Sequence, residues 1–347
     1  MIAVSRTRTR ALAILAAACT LPALSAAHAD NSVNIYSYRE PKLVDPVLKA
    51  FTDKTGIKVN RIEGKEEELL ERLKNEGSNS PADVLITVAA SRLAQAHELG
   101  LFAPVNSTVL ESRIPAHLRT DDWFAFSTRA RVIVYAKDSV NADDVRSYAD
   151  LANPKLKGKV CSRSGSHPYN LSLFSTMVEH VGEAKTEAWL KGIVDNMARK
   201  PTGGDTDQIK GVASGECAIA LTNTYYLARM MRSSVPEDRA AVEKVGVVFP
   251  NQSSWGTHMN IAGGAVAKYA KNRDNAILFM EYLASPFAQD HFANGNNEWP
   301  TAKGVVVDNA ALKAMTGGAF KSETIPLAAV SANQVKVQQM LDRVGYK

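Results

Sequence analysis

The 347-residue chain carries 41 basic and 36 acidic side chains, a formal charge of +5 and only three cysteines. Three of the basic residues (Arg6, Arg8 and Arg10) head an alanine-rich apolar stretch, Ala11 to Leu24, followed by Ala27-His28-Ala29, the pattern of a secretory leader with its cleavage site. Without residues 1–29 the net charge falls to +2, which argues against nucleic acid as a partner, and the remaining length calls for two lobes rather than one core. The leader is too short and alanine-rich to span a bilayer, and nothing after it is apolar enough to do so, so a soluble exported protein is expected. Cys19 is poorly placed for acylation. Cys161 and Cys217 remain, and in an exported chain a disulfide is their simplest fate, with two buried free thiols as the alternative. No C-x-x-C spacing supports a thiol-bound zinc.

In chain order, strand-like and helix-like segments alternate, as α/β folds require. Val33–Tyr36 predicts a strand. Leu43, Val47, Leu48 and Phe51 then share a helical face that ends near Gly56. A second strand follows at Ile57–Ile62, then a helix at Glu66–Glu76 with Leu69, Leu70 and Leu73 inward and Gly77 as its stop. Pro81–Thr87 supplies a third strand and Arg92–Leu99 a third helix. After a loop at Trp123-Phe124, the apolar run Arg129–Tyr135 reads as a crossover into a second lobe. That lobe holds the strand Gly158–Cys161, helices from Asn170 and Glu183, a helix ended by Gly215, the strand Cys217–Leu221, and a helix that begins around Tyr225 and Tyr226. Val245–Phe249 and Met259–Val266 read as the return, with Gly263-Gly264 as turn or close-approach glycines. A helix at Asp274–Leu283 and a last one from Gln334 complete the chain. The expected division is residues 30–131 with 256–306 in an amino-terminal lobe, and 132–255 with 307–347 in a carboxy-terminal lobe, joined by hinge strands around a ligand cleft.

Tyr225 and Tyr226 sit where a strand hands over to a helix, an edge where open α/β folds bind ligands. Successive residues of a helix point about 100° apart, so the two phenols converge only with help from the local backbone. A hard trivalent cation would reward such anionic oxygen donors; otherwise one ring packs and its neighbour lies exposed. Tyr169 stands on a similar rim, after the loop Arg163-Ser-Gly-Ser-His167 whose backbone N–H groups could cradle an anion. Arg39 and Glu40 follow the first strand and read as surface charges or ligand contacts. Asn223 and Thr224 read as helix caps. Hydrolase and nucleotide motifs are missing: there is no G-x-S-x-G, H-x-x-x-H, Walker loop or G-x-G-x-x-G, and Ser166-His167 are adjacent with no acid behind them.

Together these pieces resemble the periplasmic ferric-ion-binding proteins, the transferrin-like solute-binding subunits of bacterial ABC importers. The likeness runs through Tyr36-Ser-Tyr-Arg39, Phe51–Val59, Ser80–Leu85, Arg129–Ile133, Ser164–Ser172, Gly203–Gln208 and Asn223-Thr-Tyr-Tyr226. It implies a two-lobed α/β fold of the type II periplasmic-binding class, each lobe a mixed, mainly parallel sheet flanked by helices. It also implies a monomeric binding protein rather than an enzyme, working in the periplasm with an inner-membrane ABC permease. By the same resemblance Tyr169, Tyr225 and Tyr226 become phenolate ligands of Fe³⁺. Arg39 becomes the holder of a synergistic anion such as carbonate, Glu40 a contact to that anion or to iron, and Arg131 a further anion contact. Two departures matter: Glu40-Pro41 replaces the His-Tyr pair of some relatives, and Val88 stands where others carry a glutamate. The rivals are the same fold holding thiamine, a polyamine or a phosphonate, and a periplasmic enzyme using Ser166-His167.

Overall fold

The computed structural model describes residues 1–2 and 31–347, so the leader read from residues 1–29 lies almost wholly outside the described residues. The chain begins β1 (Ser32–Ser37), α1 (Pro41–Thr55), β2 (Lys58–Glu63), α2 (Glu66–Glu76), β3 (Val84–Thr87) and α3 (Ala90–Glu98). A short helix α4 (Thr108–Arg113) leads into the long strand β4 (Trp123–Ala136). There follow β5 (Val160–Cys161), α5 (Pro168–Val181), α6 (Glu183–Asp195), α7 (Asp205–Ser214), β6 (Ile219–Asn223), α8 (Thr224–Met231), α9 (Pro236–Lys244) and β7 (Val245–Val248). The chain returns through β8 (Met259–Val266), α10 (Arg273–Leu283), α11 (Pro286–Asp290) and β9 (Trp299–Pro300), and ends in α12 (Ala310–Thr316), α13 (Leu327–Ala332) and α14 (Gln334–Val344).

Two mixed sheets share β4. In the first, β2, β1 and β3 run parallel, and β8 pairs antiparallel with both β3 and the first half of β4. In the second, residues 131–136 of β4 pair antiparallel with β6 and β7, and β5 lies parallel to β6. The handover from β8 to β6 falls between Ala130 and Arg131. β4 begins at Trp123, earlier than the sequence suggests, so Trp123-Phe124 is strand rather than loop. Trp123, Phe124 and Phe126 are all buried, because this strand is covered on both faces and its aromatics need not alternate with polar residues. Gly263 explains the close pairing: a Cβ there would lie 2.6 Å from the carbonyl oxygen of Phe124. The two glycines therefore serve close approach, not a turn.

Each sheet has its own core. Phe51 meets the edge of Phe279 at 5.2 Å among Val44, Val47, Ile86 and Phe124. On α1 it is Val44 that enters this core, while Leu43 turns toward the cleft. Pro41 opens that helix, where a missing N–H costs nothing, and Gly56 closes it at φ +72°. In the other half Tyr148, Phe174, Trp189 and Leu190 pack with Val337, Met340 and Leu341 of α14. Cys161, at the end of β5, is joined to Cys217, just before β6, by a disulfide with Cα atoms 5.7 Å apart. Among the described residues no helix is long and apolar enough to cross a membrane.

Candidate metal centre

Two helix starts in the second half carry the phenols. β5 runs into a loop that ends at His167, whose Nδ1 accepts the N–H of Tyr169 at 3.2 Å and caps α5. The loop expected to cradle an anion instead packs on the chain terminus. Gly165 N–H donates to the Lys347 carbonyl, a Cβ on Gly165 would meet Tyr346 at 2.8 Å, and Tyr346 bonds Ser162 through its hydroxyl. β6 hands over to α8 at Asn223, which puts Tyr225 and Tyr226 in the first helical turn. That turn is regular helix, so side-chain direction rather than an irregular backbone draws the two rings to 4.1 Å between centroids. The hydroxyl oxygens of Tyr169 and Tyr225 lie 3.2 Å apart.

Beneath these helix starts is a buried polar brace. The Arg131 guanidinium is fully buried and donates to Asp205 (2.6 Å), Asn223 (3.2 Å) and Asn170 (2.7 Å). Asp205 also accepts the Asn223 N–H at 2.7 Å and pairs with Arg163 at 3.1 Å. Arg131 therefore does not line the cavity. It holds the residues next to Tyr169 and Tyr225. Asn223 occupies the N-cap position, but its side chain serves Arg131 rather than the helix.

The facing wall comes from the first half. Tyr38, Arg39, Glu40, Leu43, Val88, Arg129 and Glu298 close a cavity of about 200 Å³ against Arg163, His167, Tyr169, Tyr225 and Tyr226. Tyr38 and Val88 pack directly with Tyr169 and Tyr226, so the two halves touch across the cleft. Arg39 is 4% exposed, donates to Glu298 at 2.5 Å and lies over the Phe292 ring. Arg129, two residues before Arg131, does reach the cavity. Its Nη2 donates to the Val88 carbonyl, its Nη1 is 3.7 Å from Glu298, and it stacks over Tyr169 and Tyr225. Neither Nε nor Nη1 of Arg129 has a hydrogen-bond partner among the described residues. Glu40 is half exposed at the rim and pairs with Lys42. Sequence reasoning missed Arg129, Glu298 and Tyr38. The motifs around 129 and 36–39 were visible, but no spacing rule says that Glu298 returns beside them.

Burial pushes both Tyr169 and Tyr225 above the ordinary tyrosine pKa, opposed in each case by Arg129, so the metal-free site holds these two as neutral phenols. Burial also works against Glu298, but Arg39 and Arg129 outweigh it and hold that carboxyl below the ordinary glutamate range. His167 is driven down to about 2 by burial, then by Arg163 and Arg131, and is neutral. Arg163 lies over Tyr169, and Arg229 over both Tyr225 and Tyr226. The result is a small cavity of oxygen donors ringed by guanidinium, which suits a hard, highly charged cation together with anionic oxygens. Two other clusters offer no competing chemistry. His97, Asp121 and Asp122 form a surface group built on an ion pair of 2.7 Å. Ser172, His258 and Glu323 are connected like a hydrolase triad, yet all three side chains are buried without a cavity that reaches the serine.

Residues 47–317 match the model of the bacterial extracellular solute-binding proteins. The chain is 45% identical to iron uptake protein A1 of Synechocystis, over 91% of this chain and 88% of that one. It belongs to the ferric-iron-binding family of bacterial solute-binding proteins. A Trichodesmium member solved with iron and citrate superposes with a TM-score of 0.85 at 48% identity, covering 91% of this chain and 100% of that one. The ferric binding protein of Campylobacter jejuni gives a TM-score of 0.86 at 40% identity, with the same coverage. The fold is accordingly the α/β fold of periplasmic binding proteins, and members of this family bind solutes rather than transform them.

Proposed function

We propose that this protein captures ferric ion in the periplasm and delivers it to an inner-membrane ABC permease. The names and ligands of its relatives support iron as the cargo. Tyr169, Tyr225 and Tyr226 bind it as phenolates. Residues 30–131 with 256–306 and residues 132–255 with 307–347 act as the two lobes, hinging about β4 and the segment before β8. The observation that carries the reading is the 3.2 Å approach of the Tyr169 and Tyr225 hydroxyls inside a cavity walled by guanidinium groups. Phenol oxygens this close lose their protons to a trivalent cation that binds them. A cavity of about 200 Å³ is also small for thiamine or a polyamine.

A small synergistic anion, carbonate or citrate, has its natural place at Arg129, whose Nε and Nη1 have no hydrogen-bond partner among the described residues. Arg39 backs that position while anchored to Glu298, and Glu40 guards the rim. Iron analysis and the visible spectrum of protein purified without chelator test the reading. A phenolate-to-iron charge-transfer band at one iron per chain is expected, and colourless, iron-free protein that takes up none on titration would refute it. Because binding displaces phenol protons, affinity should fall as pH falls, by about a hundredfold to a thousandfold per pH unit for two or three protons released.

A further inference from the structure

Two buried carboxylates serve four guanidinium groups around the cleft. Behind the phenols, Asp205 holds Arg131 and Arg163. On the facing wall, Glu298 holds Arg39 at 2.5 Å and stands 3.7 Å from Arg129. Each carboxylate therefore leaves one positive charge in excess on its side. Their placement differs. Asp205 is wholly buried beneath the helix starts, whereas Glu298, 3% exposed, lines the cavity and is the one buried carboxylate among the described residues that do so. Buried guanidinium nitrogens without a hydrogen-bond partner among the described residues belong to the same wall: Nε of Arg39, and Nε and Nη1 of Arg129. Such donors recruit an oxyanion unless a countercharge stands close to them. A tetrahedral anion such as phosphate is within the capacity of a space of about 200 Å³. Without the Glu298 charge, two guanidinium groups would face that anion together, and the cleft would fill with it before any metal arrived.

We propose that Glu298 is a specificity-determining residue: by neutralising one guanidinium charge of its wall it keeps free oxyanions out of the metal-free cleft, and so makes anion binding conditional on the cation. Once a trivalent ion is bound, an anion oxygen gains a bond to the ion itself, and that bond outweighs repulsion from Glu298. The inference rests on the ferric reading above, but its central measurement needs no iron. Inorganic phosphate is titrated calorimetrically into metal-free wild type, Glu298→Gln and Glu298→Asp at neutral pH and low salt, with circular dichroism and melting to check each fold. Glu298→Gln should bind phosphate at least about tenfold tighter than wild type, as one added charge in a partly desolvated site requires. Glu298→Asp keeps the charge and should stay within about threefold of wild type. Adding Arg129→Gln to Glu298→Gln should remove the gain. Iron loading should tighten phosphate binding to wild type by at least about tenfold, and this arm depends on no variant. Equal phosphate affinity in metal-free wild type and Glu298→Gln would overturn the inference. So would a Glu298→Asp protein that binds as tightly as Glu298→Gln, because lost packing rather than lost charge would then be the cause. Iron-loaded wild type that binds phosphate no better than the metal-free protein would overturn it too. A wild type that takes up no iron would refute the ferric reading, while the metal-free comparison would still decide whether Glu298 excludes anions.

Discussion

Tyr169 and Tyr225 share one hydrogen bond between their hydroxyls and are 6% exposed each, whereas Tyr226 is only partly buried. Removing either of the two buried hydroxyls should therefore cost the fold only about 1 kcal/mol, the usual net worth of such a bond. The same change should weaken iron binding by at least about a hundredfold, since even outer partners of a metal contribute up to that much. Isothermal denaturation of Tyr169→Phe and Tyr225→Phe beside their iron titrations separates the two effects. These residues were legible in the sequence because a strand-to-helix edge is marked by local pattern. The facing wall was not. Arg129 and Arg131 are neighbours on one strand and look equivalent on paper, yet β4 changes partner between them. Two residues of strand, about 7 Å, separate a guanidinium that borders the cavity from one that braces the helices beneath it.

At the level of elements, α5 and α8 owe their alignment to Asp205, which draws Arg131, Arg163 and the Asn223 N–H to one buried carboxylate. Asp205→Ala leaves two guanidinium groups without their countercharge and should cost about 3–5 kcal/mol in urea unfolding. An Arg131→Leu, Asp205→Leu double variant should recover part of that loss. The disulfide ties the strand entering one helix start to the strand entering the other. With Cys161 and Cys217 separated by 56 positions, replacing both by serine should cost about 4 kcal/mol by loop entropy, read as a lower denaturation midpoint. Helices with a glycine stop and three apolar residues on one face could be read from the sequence almost to the residue, as α2 was. α9 could not, because none of its residues is buried and no periodicity marks it. The early start of β4 was hidden by aromatics that pack on both faces.

Over the whole molecule, the segment entering β8 and the segment before α13 run together. Thr257 donates its N–H to Lys321 and accepts that of Glu323, whose carboxylate holds the buried His258 and, at 3.5 Å, His180. Burial would raise the Glu323 pKa, but His258 and His180 outweigh it and hold it below the ordinary value. A depressed carboxylate pKa stabilises the fold at pH above the unfolded value, and that stabilisation is lost as pH falls through the folded one. Glu323→Gln should accordingly lower the melting temperature at neutral pH and flatten its decline toward acid, so that wild type and variant converge in an acid melting series. The two-lobed plan was readable from length and alternating pattern, but this tie was not, since its partners lie 65 residues apart with no shared motif.

The size of the enclosed space has its own consequence for how metal must arrive. About 200 Å³ accommodates an ion with a carbonate-sized companion, while a siderophore complex is several times larger. On the ferric reading above, iron carried by such chelators would have to leave them before the two walls close on it, so the competing concentration is that of chelator in the compartment where the protein works.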